Sequence, residues 1–176
     1  MGLDNIPCQY PCLTAGTAVQ VTMTNAAGEP IVDDSGAPEQ RIDCAATATT
    51  GGCPWHNTLG DRHGRVLGLF GAPCWYRGQH GVSILDMMSI DADRMYGDAD
   101  GELTPAICHS IADDITEWLT DNSIISAGDG TPTGRRATFP DPDNNGDSTD
   151  ITDDILYLVD WLRWVASTTN GALAWY

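Results

Sequence analysis

"TPAICHSIADDITEWLTD", residues 104–121, decides the fold. Thr104 offers an oxygen to the exposed amides of a helix start, and Pro105 suits the first helical position, where no backbone N–H is needed. Ile107, Ile111, Ile115, Trp118 and Leu119 then recur at three- and four-residue spacing, which is one apolar stripe along a helix. Cys108 lies beside that stripe and is expected in the core. A second stretch, "DITDDILYLVDWLRWVAS" (150–167), sets Ile151, Ile155, Leu158, Leu162 and Val165 on one side, with Asn170-Gly171 to end it. "GQHGVSILDMM" (78–88) holds a shorter helix with Val82, Leu85 and Met88 together.

Toward the N-terminus the periodicity changes. "TAVQVTMT" (17–24) alternates Val19, Val21 and Met23, then "NAAGEP" and "DDSGAPEQ" turn the chain, so residues 17–43 predict a β-hairpin or meander. Residues 44–80 are rich in Gly, Pro and Cys with little periodicity, and need something beyond regular structure to order them. The expected architecture is α+β: one domain over 1–176, with a β- and Cys-rich half (1–80) and a helical half (81–176). A chain of 176 residues can bury a real core. The apolar run Ile155–Val159 falls far short of the roughly 20 residues a bilayer helix needs. "MGLDNIPCQYPC" has neither the basic head nor the apolar run of a signal peptide. No membrane partner is expected.

Charge is the strongest compositional signal. Acidic residues number 25 against 8 basic ones, a formal net charge of -17; every basic residue is Arg and Lys is absent. Charged residues are nevertheless 19% of the chain, as in an ordinary globular protein. At molar salt the Debye length shrinks to about 3 Å, so self-repulsion costs little. In this respect the composition resembles that of proteins of extremely halophilic archaea and their viruses. The competing reading is an acidic inhibitor that mimics nucleic acid, which needs its charge gathered on one face. The carboxylates run from Asp4 to Asp160 with no long block, which favours salt adaptation. Direct nucleic-acid binding is not expected, because no basic patch faces phosphate.

Six cysteines stand at 8, 12, 44, 53, 74 and 108. Cys12, Cys44, Cys53 and Cys74 occupy turn-like settings ("YPC", "IDC", "GGCP", "APCW"), where four thiolates could hold one zinc ion and order a segment with a thin core. Cys8 or His56 could substitute for one ligand. Disulfides, including 44–53, and plain buried thiols remain open beside zinc.

The stretch "DPDNNGDSTD" (141–150) resembles the EF-hand and dockerin type of calcium loop. Asp141, Asp143, Asn145 and Asp147 fall on its oxygen-ligand positions, and Gly146 on its sharp turn. Thr152 stands where the bidentate Glu belongs, so Asp150 or Asp153 would have to close a calcium cage. The alternative is an Asx-rich turn that caps the next helix. "YGDADGELTPAI" (96–107) lacks both ends of such a cage and reads as a helix-entry turn.

For catalysis, His56, His63, His80 and His109 supply raw material, and "CWYRGQHG" brings Cys74, Arg77 and His80 close in sequence. A small metal-dependent hydrolase is the third functional class, behind the mimic. The blocks "MGLDNIP…YPC" and "GGCPW…GAPCWYRG" resemble small proteins encoded by tailed viruses. That resemblance implies a viral accessory or virion protein; together with the acidic composition, the expectation is a non-enzymatic structural or interaction protein with a protein partner, in a virion or the cytoplasm of a high-salt host. The aromatic C-terminus "ALAWY" is expected to dock.

Overall fold

The computed structural model describes residues 3–55, 74–140 and 147–175. In chain order its elements are β1 (Asp4–Pro7), α1 (Pro11–Thr14), β2 (Gln20–Thr22), β3 (Gln40–Ile42), α2 (Cys44–Thr49), α3 (Gly78–Met87), a 3-10 turn (Ala92–Tyr96), β4 (Glu102–Leu103), α4 (Pro105–Asp121), β5 (Thr138–Pro140), β6 (Ser148–Asp150), α5 (Thr152–Thr168) and β7 (Ala172–Trp175). The fold is α+β, with antiparallel strands in small sheets. The chain divides into two compact units, Tyr10–Trp75 and a larger one made of Met1–Gln9 with Tyr76–Tyr176. The first nine residues thus belong to the larger unit together with the helices that follow Tyr76.

In the larger unit the sequence signals act as written. Thr104 Oγ1 accepts the Ile107 N–H at 3.3 Å and starts α4. That helix buries Cys108, Ile111, Ala112, Ile115 and Leu119, while Ile107 and Trp118 are only half-buried, so the stripe lies slightly round the helix from the expected line. Helix α5 packs against α4 and buries Ile155, Leu158, Trp161, Leu162 and Val165. Each such aliphatic residue contributes about 1.5–3 kcal/mol when taken fully out of water. Tyr76 is fully buried, 6.0 Å from the Tyr157 ring and 5.1 Å from Trp161.

The sheet of this unit has the order β1-β7-β4, all antiparallel. The C-terminal segment docks as its central strand: Ala172 is buried, while Trp175 keeps 56% of its surface exposed. The reversal from α5 into β7 uses Asn170 and Gly171, both at positive φ. Gly171 is required there twice over, because a Cβ would also run into the Leu103 carbonyl. Asn5 joins β1 to the start of α3: its backbone exchanges two hydrogen bonds with Tyr76 at 2.8 and 3.0 Å, and its Nδ2 donates to the Met95 carbonyl.

In the smaller unit β2 pairs with β3, Gln20 opposite Ile42, and single bridges continue the ribbon at Thr24–Pro30 and Val32–Pro38. The turns close on themselves. Asn25 Oδ1 accepts from the Ala27 and Glu29 amides, and Asp33 Oδ1 accepts from those of Ser35 and Ala37. This is the expected meander, and its strands are largely exposed. Among the described residues of the unit, the buried side chains are Cys12, Thr47, Cys53, Trp55 and Cys74. They include no aliphatic residue.

Candidate functional site

Four chain segments meet in the smaller unit, and each carries a cysteine. Pro11 starts the one-turn helix α1, and the Cys12 carbonyl accepts from the Thr17 and Ala18 amides at 2.9 and 3.1 Å, which folds the following loop back. Thr17 then donates its hydroxyl to the Gly52 carbonyl at 2.8 Å and draws the residue before Cys53 alongside. Gly52 has to be glycine, since a Cβ there would stand 2.5 Å from the Thr17 carbonyl oxygen. Cys44 opens α2, whose N-cap Asp43 accepts from Ala46 N–H at 2.9 Å. That helix is tied to the same loop, with Asp43 N–H on the Val19 carbonyl and Val19 N–H on Thr47 Oγ1. At the far end of the segment, Trp75 Nε1–H donates to the Tyr10 hydroxyl at 2.8 Å and brings Cys74 back toward Cys12.

The electrostatics describe one sulfur neighbourhood. Burial raises the Cys12 thiol, and the charges of Cys53 and Cys44 raise it further. Cys44 and Cys74 share a side-chain hydrogen bond, which lowers Cys44 and, together with burial and the nearby Cys44 and Cys53, raises Cys74. Tyr10 is pushed up to about 12, mainly by burial, with Cys74, Cys44 and Cys12 adding and the Trp75 bond opposing. All six cysteines are thiols. Among the described residues, no three His, Cys, Asp or Glu side chains stand as a closed ligand set. The four sulfurs are neighbours rather than a coordination shell.

The other two cysteines lie in the larger unit. Cys8 is exposed, raised by partial burial and then by Glu102; Cys108 is fully buried and pushed up to about 12, chiefly by that burial. The fold thus separates Cys8 and Cys108 from the set Cys12, Cys44, Cys53 and Cys74.

Of the calcium-loop residues, Asp141, Asp143 and Asn145 lie outside the described residues, and Asp147 is exposed beside β6. Asp150 serves the start of α5. Its carboxylate accepts from Thr152 N–H at 3.0 Å, Thr152 Oγ1–H at 2.7 Å and Arg136 Nε–H at 2.7 Å. Those bonds hold its carboxyl down at about 2. Thr152 Oγ1 in turn accepts the buried Ala137 N–H at 2.7 Å, which anchors the end of the long loop. In the second acidic loop Asp98 Oδ1 accepts the amides of Asp100 and Glu102 at 3.0 Å, a turn that leads into β4 and α4.

His56 and His63 lie outside the described residues, His80 is half-buried on α3, and His109 is exposed on α4. Gly78 and Gly81 of "CWYRGQHG" are buried against Leu3, Asn5, Tyr76 and Met95, which is a packing role. An open groove of 610 Å³ runs between the C-terminal half of α4 and the segment that leads from α3 into the 3-10 turn, lined among others by Ile90, Asp91, Glu117, Trp118 and Asp121. The Arg94–Asp114 ion pair, 2.8 Å long, stands in its wall. The Tyr10–Trp75 and Thr17–Gly52 links went unforeseen in the sequence. The only local sign was an aromatic or Pro beside Cys12 and Cys74. The chain matches no protein-family model, no curated protein and no solved structure.

Proposed function

We propose that this is a non-enzymatic structural or interaction protein built for high salt, acting as an accessory or virion component of a virus of a halophilic host. The observation that carries the reading is the placement of the carboxylates. Exposed Asp and Glu occur on both units: on the meander at Asp33 and Asp34, on α3 at Asp86, and around α4 and the loops beside it. On α4, Asp113, Glu117 and Asp121 repeat at four-residue spacing, and like charges so placed cost each other about 0.2–0.5 kcal/mol in dilute buffer. Three of the arginines stand on aspartates: Arg94 on Asp114, Arg136 on Asp150 and Asp153, Arg163 on Asp113. The balance of charge is left to the solvent, and concentrated salt supplies it. A nucleic-acid mimic would concentrate the same charge on one face; its distribution over both units favours salt adaptation.

A thiol acts as a nucleophile through its thiolate, and burial raises Cys12, Cys74 and Cys108 away from that form, which supports a non-catalytic role for these three. Thermal melts from about 0.1 to about 3 M KCl test the reading, with stability expected to climb steeply as screening increases. Full stability in dilute buffer with a flat salt curve would discard it in favour of the mimic.

A further inference from the structure

We propose that Cys12, Cys44, Cys53 and Cys74 bind one zinc ion as a tetrahedral thiolate centre, which ties together the four segments that carry them. Three observations converge. First, hydrogen bonds that involve no sulfur bring the four segments together: Thr17 to Gly52, Val19 to Thr47, Asp43 to Val19 and Trp75 to Tyr10. Second, Cys44 and Cys74 share a side-chain hydrogen bond, and Cys12, Cys53 and Cys74 are buried in the same unit. Third, the described residues of this unit bury three of these cysteines, Trp55 and Thr47, and no aliphatic side chain. A small unit whose described interior holds no aliphatic side chain gains most from a crosslink or a metal.

The fold supplies the convergence, and the ion would impose the tetrahedral spacing, as expected where metal binding and folding are coupled. Four thiols give up four protons to solvent and one divalent cation enters, so the centre carries two negative charges.

This inference is independent of the high-salt reading, and its test is run at 3 M KCl so that the two fail separately. Elemental analysis of the full chain, purified under reducing conditions without chelator, is expected to find one zinc per chain. Cys53→Ser should lose the metal, while Cys108→Ser, in the other unit, should keep it. Because the Cys53 variant could unfold, the wild-type protein is also loaded with cobalt(II) alone. Intense sulfur-to-cobalt charge-transfer bands with tetrahedral d–d absorption are expected. A metal-free chain with four alkylatable thiols in this unit, a disulfide among the four, or a cobalt spectrum without thiolate bands would overturn the proposal.

Discussion

The hydroxyl of Tyr10 accepts the indole N–H of Trp75 at 2.8 Å, and these are the first and last residues of the smaller unit. One side-chain bond thus closes a segment of 66 residues onto itself beside Cys12 and Cys74. Tyr10→Phe removes the acceptor and should cost about 0.5–1.5 kcal/mol, read as a lower denaturation midpoint. It should also remove an alkaline limb. The Tyr10 phenol is raised from 10.0 to about 12, so the folded state holds its proton more tightly than the unfolded state. Stability is then complete below pH 10 and falls as pH rises toward 12. A variant with the wild-type midpoint and the same alkaline slope would show the bond to be inert.

Asp150 shapes the acid side in the opposite sense. Its folded pKa is about 2, below the ordinary carboxylate range, so its contribution is present above pH ~4 and is lost as pH falls toward 2. Asp150→Asn should flatten that limb and loosen the first turn of α5, at a cost of about 1 kcal/mol near neutrality. The Thr152 bonds outlast salt better than the exposed Arg136 pair, so the effect should persist at high KCl. An unchanged acid limb in the variant would refute this assignment.

Two glycines of α3 should separate cleanly. At Gly78 a Cβ would run into Asn5 Oδ1, and would stand 2.6 and 2.9 Å from Cγ and Cδ2 of Leu3; Asn5 lies in β1 and Leu3 immediately before it. At Gly81 the nearest atoms are Cε of Met95, 2.7 Å away at the far end of a flexible side chain, and Cε1 of Tyr76 at 3.1 Å, so only a small shift is needed. Gly78→Ala is expected to lose about 1–3 kcal/mol by overpacking. Gly81→Ala should be close to neutral, because the clash is offset by the roughly 0.5–1 kcal/mol that Ala gains over Gly inside a helix. Equal melting temperatures for the two variants would mean that α3 does not pack on β1 as described.

The elements with local causes were the legible ones. Thr104-Pro105 announces α4, Asn170-Gly171 ends the turn after α5, and Asn25 and Asp33 fold the meander with their own side chains. The three-stranded sheet was hidden because its partners are far apart. Two residues of β4 and four of β7 show no alternation; β7 is a strand through its pairing with Asp4–Pro7, and β4 through its pairing with β7. The cysteine set could be proposed from turn-like neighbours, but the contacts that gather it, Thr17 to Gly52 and Tyr10 to Trp75, are long-range and carry no spacing signal.

The carboxylate row on α4 offers a direct handle on salt dependence. Replacing Glu117 and Asp121 by Gln and Asn removes two like-charge neighbours, while Asp113 keeps Arg163 at 3.7 Å. The double variant should gain about 0.5 kcal/mol in dilute buffer and nothing at 3 M KCl, where the row is screened. A gain of the same size at both salts would assign the effect to helix propensity instead of charge.

The dependence of the smaller unit on its sulfurs is tested most directly by hydrogen exchange on the full chain, with and without a strong chelator, under reducing conditions at 3 M KCl. Chelation is expected to abolish amide protection at Thr17, Val19, Thr47 and Gly52, whose hydrogen bonds surround the cysteines, while α4 and α5 keep theirs. Protection at those four amides that is indifferent to the chelator would contradict the account.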